Sequence, residues 1–132
     1  MPAERQVIAP PAPALDAGRV EGRPYSTVVR GGAFLFVAGL TAIDPQTGAR
    51  VRGTTAAETR AILTNLKQLL EAAGSSLDKV VKVTVLLHSM LEVPNMNEAY
   101  ASFFSDPPPA RTVCGAALRD GCRVVIECVA LA

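Results

Sequence analysis

Val80-Val-Lys-Val-Thr-Val-Leu-Leu87 constrains the fold most, because only Lys82 and Thr84 interrupt a run that is otherwise apolar on both faces of a strand. Such a strand belongs in a sheet interior or at a subunit contact, where both faces are covered. Just before it, Ile62, Leu63, Leu66, Leu69, Leu70 and Ala73 recur at helical spacing, which predicts a helix over 54–73. Thr55 with Glu58 reads as a capping box at its start, and Gly74 stands where a left-handed C-cap belongs.

Around that pair the remaining elements read in order. Tyr25 to Arg30 and Ala33 to Ala38 are β-rich and flank Gly31-Gly32, a hairpin pattern. Asp44-Pro-Gln-Thr-Gly48 is turn chemistry. A second helix starts near Pro94 and lines Met96, Ala99, Tyr100 and Phe103 on one face. Thr112 to Leu118 and Cys122 to Leu131 then read as strands joined by Arg119-Asp-Gly121. The order ββαβαββ predicts an α+β fold in one domain over 1–132, a single mixed sheet with two helices on one face, behind a Pro-rich lead-in at 1–22. With 49% apolar residues the other sheet face needs cover, and identical subunits are the usual remedy.

Thirteen basic against twelve acidic residues leave no charge excess of the kind nucleic-acid or anionic-membrane binding demands. No apolar run reaches membrane-spanning length, and the N-terminal segment lacks a signal-peptide core. Three cysteines, odd in number and without Cys-x-x-Cys spacing, together with a single histidine, fit reduced thiols in a cytoplasmic protein with no metal site. Cys114 is best taken as a small buried hydrophobe and His88 as a loop or interface side chain.

Chemistry concentrates after the second helix. Pro107-Pro-Pro109 cannot continue a helix and stiffens the backbone that delivers Arg111, a guanidinium able to grip a carboxylate through two parallel hydrogen bonds. On the residues alone, a salt bridge, with Glu127 as one partner, is the commoner fate of such an arginine.

Pro24-Tyr25-Ser26, Val37-Ala-Gly39 with Asp44-Pro-x-Thr-Gly48, Glu58-Thr-Arg60 through Asn65-Leu66 to Gly74, Val80-Val-Lys-Val-Thr84, Asn97-Glu-x-Tyr100 with Phe103-Phe104, Pro109-Ala-Arg-Thr112 and Ile126-Glu-Cys-Val-Ala130 occur in order and at matching spacing. In these motifs the chain resembles the reactive intermediate deaminases (RidA, also called YjgF, and endoribonuclease L-PSP-like). The resemblance implies the same sandwich, a homotrimer whose sheets form a central barrel, and sites in clefts between subunits. It also implies cofactor-free hydrolysis of 2-imino or enamine acids to 2-keto acids and ammonia.

By the same resemblance Arg111 binds the substrate carboxylate, and Tyr25, Ala38, Gly39, Asn97, Val113 and Val125 line the pocket. Two stretches depart from the family pattern. Ala38-Gly39-Leu40 stands where Ser-Gly-Gln is common, and Val125 stands where a glutamate positions the attacking water. An acid–base group of that kind is worth about 10²- to 10⁴-fold in rate. Glu127, two residues along the same strand, is the substitute candidate, about 7 Å away. Two alternatives accompany the deaminase reading: a non-catalytic ligand-binding or regulatory member, and a deaminase of an aminomuconate-like enamine. Ribonuclease activity, attributed to some members of the family, is disfavoured by the neutral charge and the lack of a stacking platform.

Overall fold

The structure is a computed structural model that describes residues 4–20 and 22–132. Of the lead-in 1–22, residues 1–3 and Glu21 lie outside the described residues. One mixed sheet holds β1 (Arg5–Ile8), β2 (Val28–Gly31), β3 (Phe34–Leu40), β4 (Val80–Leu87), β5 (Ala110–Gly115) and β6 (Val124–Leu131), in the order β1-β2-β3-β6-β4-β5. Every neighbouring pair is antiparallel except β4 and β5.

The helical turn α1 (Ala17–Val20) precedes β2, and the helices α2 (Thr55–Ala72) and α3 (Val93–Ala101) pack beside each other on one sheet face. Beneath them lie Leu35 and Val37 of β3, Val83, Val85 and Leu87 of β4, and Val124, Ile126, Cys128 and Ala130 of β6, all buried. The alternation follows the pleat, since every second residue of a strand turns to the same face.

The structure corrects the lead-in. Arg5–Ile8 pairs antiparallel with β2 in register Val7 to Val29, so the order is βββαβαββ. Four residues with Val7 and Ile8 adjacent are too short for alternation to be read, and the prolines that follow mask the strand. The other boundaries shift by a few residues: β2 starts at Val28 rather than Tyr25, β5 ends at Gly115, and β6 starts at Val124.

The capping box is also corrected. Thr54 is the N-cap of α2, its hydroxyl accepting from Ala57 N at 3.1 Å. Glu58, buried, instead accepts from Arg123 N at 3.0 Å and ties the start of β6 to the helix. At the other end Gly74, at φ +82°, donates to Glu71 O, and Ser75 N donates to Leu70 O. That pattern is a Schellman motif, where glycine is favoured by the left-handed conformation.

The face away from the helices is open in the protomer. Val7, Phe34, Phe36 and Leu131 are exposed on it, with Val29 and Val129 half-buried among them. A stripe of Lys82, Thr84 and Glu127 crosses the same face, placed there by the pairings of Lys82 with Val129 and Thr84 with Glu127.

Candidate functional site

Arg111 enters on β5 one residue after the three prolines, and its pairing with Val83 puts it on the helix side of the sheet. There its guanidinium carbon sits 4.8 Å above the centre of the Tyr100 ring, within cation–π range. Its Nη1 points to Met96 Sδ at 3.9 Å, a weak acceptor. No carboxylate meets Arg111 among the described residues. The salt bridge to Glu127 is therefore absent, and the register explains it, because Glu127 pairs with Thr84 and faces the opposite side of the sheet.

An open groove of about 540 Å³ lies beside this arginine, walled by Tyr100, Phe104 and Pro109 and reached by Asn97. Tyr100 and Phe104 stack at 4.7 Å with their planes tilted 34°. Asn97 sits mid-helix rather than at a cap, three residues before Tyr100 and so on the same face of α3. Its Oδ1 and the Tyr100 hydroxyl are both buried without a hydrogen-bond partner.

Tyr100 is 6% exposed, and burial raises its pKa above the ordinary tyrosine value against a smaller downward pull from Arg111. The phenol is thus neutral, with its hydroxyl enclosed by the protomer. Sequence reasoning counted Tyr100 only as a core face of the helix; its polar end was the missed signal, since a buried tyrosine hydroxyl ordinarily finds a partner.

The other predicted residues gather elsewhere. Tyr25, Ala38 and Gly39 line a tight slot of about 20 Å³ with Thr41, Asn65 and Arg119. Tyr25 is seated by Gly18, where any Cβ would collide with the Tyr25 carbonyl oxygen. A break in the β3–β6 register between Val37 and Leu40 makes Ala38-Gly39 a bulge. The bulge brings Gly39 so close to Val125 that a Cβ there would meet Val125 Cγ1 at 2.9 Å.

Val125 therefore presents a hydrocarbon wall to Gly39. Glu127 lies one pleat further on, in a shallow open-face groove with Lys82, Thr84 and Ala38. Val113 packs against the core from β5. Within one protomer the candidates thus form two groups: Arg111 and Asn97 on the helix side, and Tyr25, Ala38, Gly39, Val125 and Glu127 at the β3–β6 bulge and the open face.

The turn between β5 and β6 is held from outside. Asp120, at φ 56°, receives Arg50 Nη2 on its carboxylate at 3.0 Å and Arg52 Nη1 on its carbonyl at 3.0 Å. Cys122 and Cys128 are buried, whereas Cys114 is exposed on the edge strand, contrary to the expectation of a buried hydrophobe. Burial, helped by the Glu127 charge, pushes the Cys128 thiol up to about 12. Among the described residues no group of histidine, cysteine and carboxylate side chains could hold a metal ion. No helix among them is long and apolar enough to cross a membrane.

Comparison with known proteins agrees with this architecture. The family model for endoribonuclease L-PSP matches residues 19–132. A RutC family protein of Pyrococcus horikoshii is 50% identical over 88 residues, 67% of this chain and 70% of that protein. The mouse protein named 2-iminobutanoate/2-iminopropanoate deaminase is 38% identical over 109 residues, 82% of this chain and 81% of its own. Among solved structures, RidA of a Psychrobacter species superposes with a TM-score of 0.81 at 31% identity, covering 96% of this chain and 99% of its own. Yeast Mmf1 gives 0.78 at 29% identity, covering 99% and 97%. On its sequence, its six-stranded mixed sheet and its helix pair, this chain belongs to the endoribonuclease L-PSP family, the Rid/YjgF proteins.

Proposed function

We propose that this chain binds a short 2-imino or enamine acid by its carboxylate at Arg111 and hydrolyses it to the 2-keto acid and ammonia. One observation carries the reading: a guanidinium on a stiff strand start, above an aromatic ring, has no carboxylate partner among the described residues and borders a groove. A planar fork of donors without a carboxylate partner among the described residues suits a carboxylate bound through two hydrogen bonds. The name of the mouse relative supports the same substrate class. No cofactor enters the reaction, because the iminium carbon is already electrophilic toward water.

A homotrimer with its sites in the clefts between copies goes with this proposal. The split of the candidates into two groups supports it, since Tyr25, Ala38 and Gly39 would reach Arg111 only from a neighbouring copy. The apolar open face, with Phe34 and Phe36 exposed, supports burial between subunits. Unpaired thiols suit a cytoplasmic setting.

The second reading is a ligand-binding protein without turnover, favoured by Val125 against Gly39, where no acid stands. Feeding 2-iminobutanoate from threonine dehydratase separates the two. Faster release of 2-ketobutanoate with the natural chain supports the hydrolase. Release only with Val125→Glu makes the natural chain a binder.

A further inference from the structure

The groove beside Arg111 is larger and more apolar than the ethyl group of 2-iminobutanoate requires. About 540 Å³ is open next to the guanidinium, a volume in the range of sites that take drug-sized ligands, and a two-carbon side chain fills little of it. Its apolar wall is made by Tyr100, Ala101, Phe104, Pro108 and Pro109. We propose, on the reading that Arg111 grips a substrate carboxylate, that this site takes a 2-imino acid with an aromatic side chain, its ring laid in the groove against Phe104 and Pro109.

Grip and wall are built on one ring. Arg111 sits 4.8 Å over Tyr100, and Tyr100 in turn stacks on Phe104 at 4.7 Å. On the other side Pro108 and Pro109 fix their own φ, so the wall stands before a ligand arrives and little ordering is lost on binding. Phe104 and Pro109 are half-buried and Ala101 and Pro108 exposed in the protomer, which leaves apolar surface for a ligand ring to cover. An aromatic ring suits Phe104 in an offset or tilted stack.

The polar groups of the lining select against a polar side chain. The Ser105 hydroxyl already donates to Asp78 Oδ1 at 2.9 Å, and Asn97 Oδ1 is enclosed. Asp106, exposed in the same lining, disfavours a second carboxylate at the far end of the ligand. Arg111 is the cation among the described residues that line the groove, so one carboxylate and an apolar remainder match it.

The test is calorimetric titration of the full chain with phenylpyruvate and with 2-ketobutanoate, the keto acids of the two imines, together with crystals soaked in phenylpyruvate. A fully buried methylene is worth about fourfold in affinity, so five further carbons covered on one side give about tenfold. The expected result is phenylpyruvate bound at least about tenfold tighter, its carboxylate on Arg111 and its ring against Phe104 and Pro109. Affinities within about threefold of each other, or a ring kept out of the groove by a neighbouring copy, overturn the aromatic assignment and leave the carboxylate grip standing. Tighter binding of 2-ketoglutarate, or of a keto acid with a distal guanidinium, gives the groove to a charged side chain and also overturns it. If neither phenylpyruvate nor 2-ketobutanoate binds at Arg111, the carboxylate grip itself falls and the aromatic assignment with it.

Discussion

Arg111, Tyr100 and Val125 show how far single residues carry the chemistry. Arg111 keeps its charge unneutralised among the described residues because its neighbours are a ring face and a thioether. Val125 also constrains its neighbour by packing, since a Cβ on Gly39 would meet Val125 Cγ1 at 2.9 Å. Cys128 offers a pH test at this scale. Its folded pKa of about 12 stands above the ordinary 9.0, so the folded chain holds a proton that the unfolded chain loses above about pH 9. Stability from this group is therefore intact below that pH and falls as pH climbs toward 12, by at most about 1.4 kcal/mol per unit. Cys128→Ala should flatten that part of the stability curve; urea midpoints at pH 8 to 11 for both chains check it, and identical slopes would remove the claim.

The elements were legible where periodicity was strong. Helix 54–73 and strand 80–87 come straight from their apolar patterns, and the helix C-cap from Gly74. The N-cap was not, because Thr54 and Thr55 are chemically equivalent in sequence and only the chain path decides which one flanks the helix. Thr54→Ala should cost about 1 kcal/mol, whereas Thr55→Ala should cost less on the capping count, its buried hydroxyl having no partner. Thermal unfolding of the two variants distinguishes them, and equal losses would contradict the assignment. Strand β1 was hidden by its length, and the bulge at Ala38-Gly39 by the lack of any residue pattern that marks it. Arg111 was legible because prolines announce its rigidity; the polar end of Tyr100 was not, because periodicity sees only its ring.

At the scale of the molecule, the sheet divides two groups of candidate residues between its faces and edges. Arg111, Asn97 and Tyr100 border a groove on the helix side, and Tyr25 and Gly39 stand at the far bulge across β6 and β4. The proposed trimer would cover the apolar open face and join the two groups. Within one protomer Glu127 is an element of that face rather than a partner of Arg111. The most direct measurement is a crystal structure of the chain soaked with 2-ketobutanoate. The expected result is the carboxylate paired through two hydrogen bonds with Arg111 and the Tyr25 edge of a neighbouring copy closing the groove. A keto acid bound with its carboxylate away from Arg111 would contradict the site.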